Sequence, residues 1–189
     1  MQSILNFRNQ FLIAMPQLAD PHFAHTLTYV AEHNDQGAIG LTINRLSTIN
    51  IGDILEQFKI KPTSTTLDLA TPIYTGGPVN PERGFILHPN ENFSWASTIK
   101  VTAQLCITTS RDVLEAIAMG KGPSQYLFAL GYAAWEAKQL EQEMSANAWL
   151  NTPCNEHIIF NVPPEQRWQA AALQIGVDLR FMSRHVGHA

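Results

Sequence analysis

The chain has 189 residues, 45% of them hydrophobic and only 15% charged, with a formal net charge of −4 and a pI near 5.9. That size and apolar share suit one core-rich domain spanning residues 1–189, and a charged share below the usual ~25% argues against a disordered chain. Twelve Lys and Arg against sixteen Asp and Glu form no basic run, Lys59 and Lys61 being the nearest to one, which disfavours direct nucleic-acid binding through phosphates.

No apolar run approaches the ~18 residues of a membrane-spanning helix. The opening Met1-Gln2-Ser3-Ile4-Leu5-Asn6-Phe7-Arg8 lacks a charged segment followed by an apolar stretch, so a secretory signal is not expected. A cytoplasmic location is the default. Two cysteines, Cys106 and Cys154, without a CxxC spacing make neither a zinc nor a disulfide framework.

In chain order, Phe11-Leu12-Ile13-Ala14 reads as a short buried strand stopped by Pro16, and Asp20-Pro21 as the start of a brief helical turn. Residues 26–33 and 38–44 alternate as strands around Asn34-Asp35-Gln36-Gly37, which is turn chemistry; 26–44 is therefore a hairpin. Asn50 caps a short helix with Ile51, Ile54, Leu55 and Phe58 on one face. Residues 60–72 are a Thr, Ser and Pro-rich loop. Thr71 to Thr75 is a strand entering Gly76-Gly77-Pro78, and Gly84 to His88 is another.

Val101 to Thr108 alternates as a strand, and Ser110 caps a helix of two to three turns ended by Gly120. Gln125 to Ala133 is apolar on both faces, which predicts an interior strand. A small-residue bend at Ala133-Ala134-Trp135 leads into a helix with Ala137, Leu140, Met144 and Ala148 on one stripe, leaving Glu136, Gln139, Gln142 and Glu143 wet. Ile158-Ile159-Phe160 reads as a last buried strand. Pro164 opens a helix that turns Trp168, Ala171, Ala172 and Ile175 inward and closes at Gly176. Hairpins and helices without strict βαβ alternation give an α+β fold with a mostly antiparallel or mixed central sheet flanked by helices.

Gly76-Gly77-Pro78-Val79, with Arg83 and His88 following, is the best binding candidate: glycines let backbone N–H groups approach an anion and Arg83 supplies charge. The competing reading is a tight turn with Arg83 solvated, and the Walker and dinucleotide patterns are missing. Glu32-His33-Asn34 offers a base beside a carboxylate, or ordinary turn formers; Asn44-Arg45 closes the same hairpin at its other end. His22 and His25, like His185 and His188, sit three apart but lack the HExxH pattern and a carboxylate partner, so no metal or cofactor is called for. Pro153-Cys154-Asn155-Glu156-His157 contains the residue types of a thiol site, although neighbours in a loop seldom align as nucleophile and base. Cys106, in mid-strand, reads as structural. Trp135 with Glu136, Gln139 and Glu143 forms either a pocket rim or an aromatic wedge whose N–H finds a nearby carboxylate.

Several segments together resemble the AlgH/YqgE family: Phe11-Leu12-Ile13-Ala14-Met15-Pro16 with Asp20 and Phe23; Glu32-His33-Asn34 through Gly37-Ala38-Ile39-Gly40-Leu41 and Asn44; Gly76-Gly77-Pro78-Val79; Gly131-Tyr132-Ala133-Ala134-Trp135 with Gln139-Leu140-Glu141; and the ending Gly187-His188-Ala189. The family usually has glycine where Ala134 and Lys138 stand here. The resemblance implies an α+β fold with a mostly antiparallel sheet and little defined biochemistry. One branch carries the label of a transcriptional regulator of alginate production.

Three functions are weighed. The first is a regulatory or adaptor protein acting through a protein partner, marked by an exposed apolar patch. The second is a binding protein or enzyme for a small anionic molecule at Gly76, Gly77 and Arg83, with His33, Asn44 and Trp135 as further candidates. Direct DNA binding ranks third because of the acidic balance.

Overall fold

The strand from Leu127 to Glu136 has pairing partners on both edges, and the architecture is organised around it. The computed structural model describes residues 6–93 and 95–182. In chain order the elements are β1 (Gln10–Ala14), β2 (Leu27–Asn34), β3 (Gly37–Thr42), β4 (Leu46–Asn50), α1 (Ile51–Gln57), β5 (Pro72–Thr75), β6 (Val79–Pro89), β7 (Thr98–Lys100), β8 (Leu105–Thr108), α2 (Arg111–Ala118), β9 (Leu127–Glu136), α3 (Gln139–Ser145), β10 (Trp149–Pro153), α4 (Glu156–Phe160), α5 (Pro164–Leu173) and α6 (Leu179–Met182). The sheet runs β10-β1-β2-β3-β9-β6-β8-β7, antiparallel throughout this path, with β4 on β5 and β5 parallel to β9. The fold is α+β around a curled, mostly antiparallel sheet.

One edge of β9 serves two strands. Ala129 and Leu130 pair with β5, and Ala133 to Glu136 pair with β3. Gly131 lies between these pairings at φ +72, a left-handed conformation that costs a side-chain-bearing residue free energy. Gly76 ties the junction together: its N–H donates to Leu130 O at 2.7 Å and its carbonyl accepts from Thr42 N at 2.8 Å.

Period-two alternation sends successive side chains to opposite faces of the sheet. Phe11 and Ile13 join Tyr29, Leu41, Leu87 and Leu127 beneath α4 and α5, whereas Leu12 and Ala14 join Val30, Ala133, Trp135 and Trp149 beneath Leu140 of α3. A further apolar cluster places Ile54, Leu55, Val113, Leu114 and Ile117 of α1 and α2 over Ile86 and Phe128. Asn50 begins α1 through a capping box with Asp53, and Gly120, at φ +71, follows the end of α2.

The hairpin 26–44 forms as β2 and β3, and residues 125–133 supply most of an interior strand. Other expectations are corrected. Ile158-Ile159-Phe160 is helical, because the Asn155 side chain accepts from His157 N and nucleates α4. Residues 101–104 form the turn between β7 and β8, where Thr102 Oγ1 accepts from the N–H groups of Gln104 and Leu105, so only Leu105 to Thr108 extends as strand. β9 runs through Trp135 to Glu136, and the helix starts later, after Lys138 takes φ +64. Ala148 lies outside that helix. Ile175 is exposed rather than turned inward, and Phe58, just past the end of α1, is exposed beside Ile54. The edge strands β4 and β7, and β10, carry no sequence signal that separated them from loop. His185, His188 and the ending 187–189 lie outside the described residues.

Candidate functional site

Two carboxylates of α3 gather the polar atoms beneath it. Glu143 Oε2 accepts from Trp135 Nε1 and from Trp149 Nε1, each at 2.8 Å, while its Oε1 accepts from Gln139 Nε2 at 2.9 Å. Gln139 Oε1 in turn accepts from Glu136 N. Phe23 stacks on Trp135 at 6.1 Å and meets Trp149 edge-on at 5.5 Å. Two residues earlier, Glu141 Oε1 lies 3.2 Å from Nε2 of the buried His33. Phe7 N donates to His33 Nδ1 at 3.1 Å, which leaves the imidazole proton on Nε2, directed at Glu141. These bonds clasp α3 and the segment before β1 to the hairpin. Trp135 thus takes the wedge role, and Glu143, expected to be wet, is the acceptor its indole requires.

The glycine turn is occupied by backbone. A Cβ on Gly77, at φ +155, would lie 2.1 Å from the carbonyl carbon of Tyr132; one on Gly76 would lie 2.3 Å from Gly131 O. The glycines are there because two main chains cross in contact. Arg83 is exposed, with its guanidinium 5.4 Å from the centre of the Phe85 ring. His88 is buried beside β8: its Nδ1 donates to Pro89 O at 2.8 Å, and Thr108 Oγ1 donates to Nε2 at 2.9 Å. Burial pushes its pKa down.

Asn44 Oδ1 accepts from Leu27 N and its Nδ2 donates to His25 O, so it braces the start of β2. Arg45 donates to the carbonyls of Pro21, His22 and Ala24 and caps the turn begun at Asp20. Of Gly76, Gly77, Arg83, His33, Asn44 and Trp135, the structure brings His33 and Trp135 to α3 and packs Gly76 and Gly77 against the backbone of β9, while Arg83 and Asn44 lie apart from both groups. Ring contact with Trp168 at 4.9 Å occupies His25. Among the described residues no group of three or more His, Cys, Asp or Glu is placed to hold a metal. Burial, reinforced by Glu156, pushes the Cys154 thiol up to about 12, the opposite of an activated nucleophile.

Two clefts lie away from these residues. The first, about 390 Å³, opens between α1 and α2; Ile54, Ile86, Leu114 and Phe128 are among its lining residues, with Ile49 and Phe58. The second, about 340 Å³, lies between β4–β5 and α4–α5 and contains Arg167, which is 5% exposed. Arg167 was missed in the sequence. The available signal was its place four residues before Ala171, on the buried stripe of α5.

The AlgH-like family model matches residues 11–180. The chain belongs to the AlgH-like family. It is 50% identical to a UPF0301 protein of Thioalkalivibrio sulfidiphilus over 97% of each chain, and 50% identical to the UPF0301 protein AlgH of Pseudomonas aeruginosa over 96% of this chain and 95% of that one. The solution structure of the Pseudomonas aeruginosa AlgH protein superposes with a TM-score of 0.78 at 49% identity, covering 100% of this chain and 99% of that one. A crystal structure from Corynebacterium diphtheriae shares the fold at a TM-score of 0.74 and 16% identity, covering 97% and 94%.

Within this AlgH-like chain, Lys138 and Ala134, the two positions where the resemblance implies glycine, have different physical meanings. Lys138, at φ +64 and ψ 0, occupies a left-handed position at the start of α3, where glycine is the unstrained residue. Ala134 lies exposed on β9, opposite Ile39, where a methyl group is tolerated.

Proposed function

We propose that this AlgH-like chain is a cytoplasmic regulatory or adaptor protein that docks a protein partner at the cleft between α1 and α2. The observation that supports the reading is the exposure of Ile49 (36%) and Phe58 (40%) in a cleft that also contains Ile54, Ile86, Leu114 and Phe128. Apolar side chains left in water beside an apolar recess are the usual setting for an anchor residue of a partner. The cleft's polar residues carry both signs, Glu82 and Arg111 with Gln57 and Ser110 between them in chemistry. A partner segment with one apolar anchor flanked by mixed polar residues fits that lining, whereas a polyanion does not.

The test places a photo-crosslinking amino acid at position 58 and, as a control, at the exposed position 173. Species linked through position 58 are identified, purified and titrated against the intact protein. Ile49→Asp is expected to weaken such a complex at least about tenfold while Leu173→Asp leaves it unchanged. Equal loss in both variants, or crosslinks indifferent to position, would dismiss the reading.

A further inference from the structure

Arg167 is a cation kept out of water without a carboxylate. Among the described residues no acidic group lies within 4.0 Å of it. Its Nε donates to Val162 O at 2.8 Å and its Nη1 to Ile43 O, and the guanidinium carbon lies 5.1 Å from the centre of the Tyr74 ring. Carbonyl dipoles, the ring and side-chain oxygen of Tyr74 and the more distant charge of Glu165 offset part of the desolvation of this arginine, but no carboxylate among the described residues contacts it. A guanidinium has five N–H groups, so the two carbonyls leave donor capacity over. Arg167 lines the cleft of about 340 Å³ beside Tyr74, Tyr126, Phe128, Ile159 and Phe160, with Leu46 exposed at its lip.

The residues lining this cleft include one cation and no anion. Its volume is at the small end of the ~300–1,000 Å³ range of small-molecule sites. We propose that the cleft binds a small organic monoanion, an aromatic or branched apolar body bearing one carboxylate, with Arg167 as its counter-charge. A planar, singly charged carboxylate matches a single guanidinium in shape and in charge; a dianionic phosphate monoester would bring a second negative charge with no partner among the lining residues. The aromatic walls receive the apolar body. This site and the partner cleft between α1 and α2 share Phe128 as a lining residue and otherwise have different linings, and either reading stands without the other.

The experiment titrates the intact, isotope-labelled protein with benzoate, benzyl alcohol and phenyl phosphate while recording backbone amide spectra. Benzoate is expected to give saturable shifts concentrated in residues 71–74, 126–128 and 159–167, with benzyl alcohol at least about tenfold weaker. Leu46→Trp, at the exposed lip, should weaken benzoate without unfolding the chain. Arg167→Lys, which keeps the charge but not the fork, should weaken it about tenfold. If Arg167→Lys does not fold, the probe series and Leu46→Trp decide. Shifts that do not saturate, shifts centred elsewhere, or equal binding of benzoate and benzyl alcohol would overturn the site, and tighter binding of phenyl phosphate than of benzoate would overturn the carboxylate assignment.

Discussion

Trp135 and Trp149 aim their indole N–H groups at the same carboxylate oxygen, Oε2 of Glu143, with their ring centres 6.0 Å apart and their planes at 78°. One strand ends the interior of the sheet and the other forms its border, so this shared acceptor joins β9, β10 and α3. Glu143→Leu should therefore strand two indole donors in a mostly apolar setting and cost about 3 kcal/mol, and Glu143→Gln about 1–2 kcal/mol, since an amide oxygen is a weaker acceptor than a carboxylate. Urea denaturation followed by tryptophan fluorescence measures both. Equal stability of all three proteins would show that the shared bond contributes nothing.

The crossing of Gly77 over Gly131 predicts a severe effect from a single methyl group. A Cβ on Gly131 would lie 2.4 Å from Gly77 O, and the residue also holds φ +72. Gly131→Ala is expected to cost about 3 kcal/mol or more, because steric overlap and left-handed strain add at one position. Amide hydrogen exchange should show the loss first along β5 and the outer half of β9. A variant as stable as the parent would mean that the two main chains separate easily.

Lys138 works in the opposite direction. Its φ of +64 is unfavourable for a residue with a side chain, and its backbone conformation starts α3. Lys138→Gly should raise stability by about 0.5 kcal/mol, the relief of left-handed strain outweighing the added freedom of the unfolded chain. Lys138→Val, β-branched at the same position, should lower it by about 1 kcal/mol. The two variants compared in one denaturation series test the sign as well as the size.

Cys154 should be chemically quiet. Its thiol, half-buried beside Glu156, has its pKa pushed up to about 12, which leaves far less thiolate near neutral pH than an unperturbed thiol would have. Native protein is expected to react with a disulfide reagent far more slowly than protein unfolded in guanidinium. Folding favours the protonated thiol, so this contribution is intact below pH 9.0 and is lost as the pH rises towards about 12. Fast modification of Cys154 in the folded state would contradict the burial argument.

Local chemistry alone determined a good part of this molecule. Asn34-Asp35-Gln36-Gly37 with alternating flanks required the first hairpin, Asn50 required the start of α1, and the doubly apolar run before Ala133 required an interior strand. These signals act over a few residues, within reach of backbone propensity and side-chain period. Tertiary structure decided the rest, for reasons of range. Whether Gly76-Gly77 faces an anion or another main chain depends on β9, brought to it across the fold. The seating of His33 on Glu141, 108 residues on, and of Arg167 on the carbonyl of Ile43, 124 residues away, are relations among groups far apart in the chain, and even the acceptor for two tryptophans six and eight residues off depends on how β9 and β10 meet α3. Their geometry is set by packing, which period and propensity do not encode.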